Sequence, residues 1–179
     1  MNLRFLAATL LLASCWFAGC EDKIKPTVLP TIDSRTLPQQ ESWNSRITLS
    51  DSGKVRAVID AGYLCSYEGS RQTQMSEGVV VHFFDTDGNQ TSVLTSQRAN
   101  VDEATNDLEA IGNVVVVSSD STKLRTEHLY WDNKRQLVHT PEFVRINSPT
   151  EALQGHGFES DQNLRHYKVF HPTGQALTK

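Results

Sequence analysis

The chain has 179 residues, of which 17 are basic and 21 acidic, for a net charge of −4. The basic residues are scattered along it, which argues against a nucleic-acid partner, because such partners call for a clustered basic face. The six histidines, at 82, 128, 139, 156, 166 and 171, form no tight pair and neighbour no Cys ligand, so neither a metal site nor a cofactor is expected.

The first twenty residues carry Arg4 in a short polar start, an apolar run from Phe5 to Phe17, and the small residues Ala18 and Gly19 just before Cys20. This is the anatomy of a signal peptide. The run is shorter than the about 20 apolar residues a membrane-crossing helix needs, and a permanent span would draw Glu21-Asp22-Lys23 into lipid. Phe17-Ala18-Gly19-Cys20 resembles the bacterial lipobox, with Phe17 where Leu is more usual. Residues 1–19 are therefore expected to be a cleaved signal peptide and Cys20 a lipidated membrane anchor. The alternative is an ordinary secretory signal with an incidental cysteine. In the lipoprotein reading Cys15 leaves with the signal and Cys20 carries lipid, so Cys65 is left alone and no intramolecular disulfide can form. Preceded by Tyr63 and Leu64, the Cys65 thiol reads as a packed apolar group rather than a nucleophile.

Residues 20–45 hold the lipidated Cys20 and then Pro26, Pro30 and Pro38 among polar side chains, which predicts a flexible tether. A single β domain is expected over 46–172, with a short tail at 173–179. The first strand signal is the alternation of Val55, Ala57, Ile59, Ala61 and Tyr63. Residues 79–84 and 91–95, joined by Asp85-Thr86-Asp87-Gly88, read as a hairpin. Further strands are expected at 113–117, 123–131, 136–140 and 143–146. Helix signals are scarce, and turn residues recur every 8 to 12 positions, the rhythm of an antiparallel sandwich or roll.

A weak repeat near 30 residues supports an architecture of stacked hairpins, the alternative being chance similarity among β-hairpins. Leu94, Leu124 and Leu153 each precede an aspartate, Asp102, Asp132 and Asp161, by eight positions, with Ala99, Leu129 and Phe158 between them. Because these aspartates recur at equivalent places after strands, they read as turn caps rather than catalytic carboxylates. No nucleophile elbow, phosphate loop, zinc-protease motif or Cys-His pairing is present, and the chain does not read as an enzyme. What stands out is the supply of strand apolar residues: Val79, Val81, Phe83, Leu94, Val101, Val114, Val116, Leu124, Leu129, Trp131, Leu137, Phe143 and Ile146 could all face one interior. Periodicity alone leaves two readings open, a closed sandwich core or a roll with an apolar trough for an acyl chain.

Four segments carry a family resemblance. They are Leu108-Glu109-Ala110-Ile111-Gly112-Asn113-Val114-Val115-Val116, residues 124–132 (Leu-Arg-Thr-Glu-His-Leu-Tyr-Trp-Asp), residues 138–146 around Pro141, and Gln154-Gly155-His156-Gly157-Phe158-Glu159-Ser160-Asp161. In order and spacing, over about residues 78–161, they resemble the LptC family. The resemblance implies an antiparallel β-jellyroll at the inner membrane of a Gram-negative envelope. It implies that lipopolysaccharide is accepted from an LptBFG-like ABC transporter and passed to an LptA-like periplasmic bridge protein, with jellyrolls joined edge to edge. Many members hold the membrane by an uncleaved helix, whereas this chain is expected to use lipid on Cys20. Glu21 and Asp22 loosely resemble a retention signal and favour the inner membrane. The expected lipid-binding residues are Val81, Phe83, Leu94, Val101, Val116, Leu129, Trp131, Phe143 and Ile146. The expected docking edge is the run from Leu164 to Phe170, through Leu164, Tyr167 and Val169, with Arg165 and Lys168 guarding it against random pairing. A structural or adhesive β-sandwich lipoprotein without lipid transfer is the alternative.

Overall fold

Alternation of apolar and polar side chains along extended segments sends one set inward and the other to solvent. In the computed structural model, which describes residues 37–173, this patterning is realised as ten strands in one antiparallel sheet. They are β1 (Pro38–Asp51), β2 (Lys54–Tyr67), β3 (Gln72–Phe84), β4 (Gln90–Ser96), β5 (Arg98–Asp102), β6 (Leu108–Ser118), β7 (Lys123–Asp132), β8 (Leu137–Asn147), β9 (Ala152–Asp161) and β10 (Tyr167–Pro172). The order is β1-β2-β3-β4-β6-β7-β8-β9-β10, with β5 pairing β3 and β6. β4 and β5 thus act as one strand broken at Gln97 and laid between β3 and β6. The described residues contain no helix. The fold is the expected all-β, antiparallel jellyroll built from consecutive hairpins.

Each long strand is interrupted near its middle, and the interruptions line up across the sheet. Asn44 (φ 50°) lies beside Gly62, followed by Glu77 and Gly78 (φ 60° and 85°), Gln97, and Gly112 and Asn113 (φ 80° and 48°). The row continues through register shifts at residues 125–130 of β7 and 140–143 of β8, and ends at Gly157 (φ 75°). An extra residue in a strand locally bends it and increases its twist. A row of such bends turns the sheet through a corner, so that every strand contributes one arm to each of two facing layers.

The first layer holds β4, the early arms of β2, β7 and β9, and the late arms of β1, β3, β6 and β8. The second holds β5, the first half of β10 and the complementary arms, while His171 and Pro172 at the end of β10 pair with the early arm of β9. The layers meet through one apolar core, seen in the edge-on contact of Phe83 with Trp131 at 5.1 Å between ring centroids, although β3 and β7 are not neighbours in the sheet.

The aspartates of the repeat cap the turns after their strands. Asp102 accepts hydrogen bonds from the N–H groups of Ala104 and Thr105 at 2.8 and 3.0 Å, Asp132 from Arg135 at 2.7 Å, and Asp161 from Arg165 at 3.0 Å. Leu94 and Leu124 are fully buried at equivalent positions, and Leu153 is half-buried against the same core.

Three expectations need correction. The domain begins before residue 46, since Pro38–Ser45, assigned to the tether, pair with β2 as part of β1. Its polar composition hid it, because most of its side chains face solvent at the sheet edge. The segments 136–140 and 143–146 are one strand, β8, that runs through Pro141 because the bulge there needs no ladder donor. The strand at the C-terminal edge starts at Tyr167, not Leu164. The expected signal peptide, the expected lipid anchor Cys20 and the expected tether up to residue 36 lie outside the described residues, as does the expected tail beyond Thr173.

Candidate functional site

The apolar interior between the layers is the first candidate. Inward positions repeat every second residue on each arm and change parity only where the corner inserts or removes a residue. On β7, Leu124 and Thr126 are buried before the bend, and Leu129 and Trp131 after it. On β3, Val79, Val81 and Phe83 share one face.

Of the nine residues expected to line a trough, Val81, Phe83, Leu94, Val101, Val116, Leu129, Trp131 and Ile146 are buried in this single cluster. Phe143 is not. It and Leu137 are half-buried on the opposite face of β8, whose inward set is Val138, Thr140, Val144 and Ile146. Phe143 packs edge-on against His156, with the Arg145 guanidinium over its ring. The separation of Phe143 from Ile146 by three positions places them on opposite faces of a strand, a signal the sequence contained. Sequence reading also missed Ile59, Leu64, Met75 and Leu108 as members of the core, and underrated Phe158.

This interior is closed and close-packed: Trp131 is 1% exposed, and Leu94 and Leu124 are fully covered. Each large apolar side chain so buried contributes about 1.5–3 kcal/mol. Two polar atoms are caught within it without partners, the Trp131 Nε1 and the Ser160 Oγ, on strands that flank Val138 from either side. Surface depressions lie outside it. One of about 370 Å³ sits on the outer face of the second layer against Asn100, Glu109, Tyr130 and His139, and another of about 440 Å³ lies at the corner beside Arg125, Phe143 and Arg145. Among the described residues no group of three His, Cys, Asp or Glu side chains is placed to hold a metal.

The sheet's two free edges are the second candidate. β1 pairs only with β2, and β10 only with β9, so each presents unpaired backbone N–H and C=O groups. Val169 and Tyr167 stand on β10 as expected, half-buried against the core, while Lys168 lies over the exposed Phe170 ring. Leu164, expected on this edge, is instead 1% exposed and belongs to the core, in the connection from β9 to β10. Its left-handed backbone (φ 55°) takes it out of the strand path and turns its side chain inward. The Tyr167 hydroxyl donates to Glu151, and burial together with that carboxylate pushes its pKa up to about 12.

Comparison with curated proteins finds no match to the chain. A family model described as lipopolysaccharide-assembly, LptC-related, matches residues 7–171, which take in the whole sheet up to its last strand. An all-β jellyroll of hairpins around an apolar interior, the chain belongs to the LptC family, components of lipopolysaccharide export in the cell envelope tied to the inner membrane.

Proposed function

We propose that the space between the two layers holds the acyl chains of lipopolysaccharide in transit, received from an LptBFG-like transporter and passed to an LptA-like bridge protein. The observation that supports it most is the open sheet. Because β1 and β10 are both edges, the layers can part between them without breaking any strand pairing, and parting exposes a continuous apolar lining from Val81 to Ile146. A closed barrel lacks that freedom, since its edges are paired. In this reading the edge of β10, through Tyr167 and Val169, adds a partner strand and aligns the two interiors, as strand addition does elsewhere. Lipid on Cys20 holds the domain at the inner membrane. The alternative, a structural sandwich without lipid transfer, draws on the full burial of Leu94, Leu124 and Trp131, which leaves none of them open to solvent at rest.

A photo-crosslinking side chain in place of Trp131 separates the two. Lipopolysaccharide is expected to be captured there in cells but not at the exposed turn position Asp87. Equal labelling at both positions, or none at Trp131, favours the structural sandwich.

A further inference from the structure

The connection from β9 to β10 does more than join two strands. Its residues run across the ends of the first layer and touch three of that layer's turns in succession. At its start, Gln162 is tied to the hairpin of β3 and β4: its side-chain Nε2 donates to the Phe84 carbonyl at 3.1 Å, and its own carbonyl accepts from the Ser92 hydroxyl at 2.7 Å. In its middle, Leu164 enters the core beside the turn of β6 and β7, near Asp120 and Thr122. At its end, Tyr167 donates to Glu151 in the turn between β8 and β9. Since Asp161 closes the second layer, this segment spans from one layer to the other over the end of the interior.

We propose that residues 162–167 form a releasable strap over the mouth of the apolar interior, with Leu164 as its plug, and that acyl chains enter when it lifts. This rests on the reading of the interior as the acyl-binding site. Three features set the strap apart from an ordinary connection. It is fastened by two polar ties at its ends, Gln162 and Tyr167, each to the opposite layer. Its plug is held in a left-handed conformation that costs a branched residue energy, so withdrawal relieves strain. Two of its side-chain oxygens, Gln162 Oε1 and Asn163 Oδ1, are buried without a donor, and water would satisfy both once the strap lifts. Packing of Leu164 and the two ties therefore hold the strap closed, against the backbone strain and the two unpartnered oxygens that favour opening. The sheet survives release, because the pairing of β9 with β8 runs up to Asp161 and lies outside the strap.

The test uses the full chain in cells, with the photo-crosslinker at Trp131 and one tie removed at a time, by Gln162→Ala or Tyr167→Phe. Either change removes a side-chain hydrogen bond and leaves Leu164 in place. Capture of lipopolysaccharide should rise about fivefold in each, as loss of one net hydrogen bond implies. In the purified full chain, the Leu164 and Arg165 amides should exchange hydrogen faster in Tyr167→Phe, while that of Val116 stays as in the parent. Unchanged capture in both variants, with the parent still labelled, overturns the strap and leaves the interior reading standing. Absence of capture in parent and variants alike overturns the interior reading and the strap with it.

Discussion

The straight arms of the strands and the row of corners between them obey different rules. On the arms, side chains alternate strictly: Val79, Val81 and Phe83 go inward on β3, while Val80 and His82 face out. At the corners, backbone conformation decides instead: Gly78, Gly112 and Gly157 take left-handed angles, and Gly62 has no room for a side chain. The arms supply the energy of the fold and the corners its shape. An uninterrupted sheet of the same arms would leave the inward face of Phe83 and Trp131 open to water rather than pressed together.

The largest effect should come from breaking an arm. Trp131→Ala removes a fully buried ring that packs on Phe83, and is expected to cost about 3–5 kcal/mol of unfolding free energy in denaturant titration. Phe143→Ala, on the other face of β8, should cost well under half as much. Equal costs would mean that β8 is turned the other way.

Breaking a corner comes next. At Gly62 an added Cβ would lie 2.5 Å from the Glu77 carbonyl oxygen and 2.8 Å from its Cβ, so Gly62→Ala must push β2 from β3 at the bend. The expected loss is about 1–3 kcal/mol, the range for overpacking. Gly88→Ala, where nothing lies within 4 Å and only the φ of 85° is strained, should cost less, about 1 kcal/mol. A Gly62 variant as stable as the parent would show that the corner tolerates a wider bend.

The smallest effect is a pH dependence at the layer contact made by Tyr167. Its phenol is held above the ordinary tyrosine value by burial and by Glu151, so it keeps its proton longer folded than unfolded. The stability this provides is complete below about pH 10, the unfolded value, and is lost as pH rises toward about 12. Thermal unfolding between those limits should fall more steeply for the parent than for Tyr167→Phe. Parallel curves would remove Tyr167 from the contact between layers.

The arms were legible in the sequence because period two in Val, Ile and aromatic residues is a local signal; residues 55–63, 79–84 and 123–131 all fall within strands. The turns were legible through Asp102, Asp132 and Asp161, whose caps depend on neighbours two to four residues away. β1 was not, because an edge strand needs little burial and Pro38 to Ser45 therefore look like a tether. The corners were not, because a bulge is defined by the partner strand it faces. The same dependence explains Leu164: a hydrophobic residue just before a strand reads as part of it, and only the opposite layer shows that it closes the interior.

Tryptophan quenching by labelled acyl chains tests the central claim, that lipid passes between the layers, most directly. In the full chain with Trp16→Phe and Trp43→Phe, Trp131 is the sole indole, since the chain has three. Lipopolysaccharide carrying bromine on its acyl chains should quench Trp131 emission on binding, while unbrominated lipopolysaccharide bound to the same extent should not. Binding of the brominated lipid with Trp131 emission unchanged would place the acyl chains outside the interior and contradict the account.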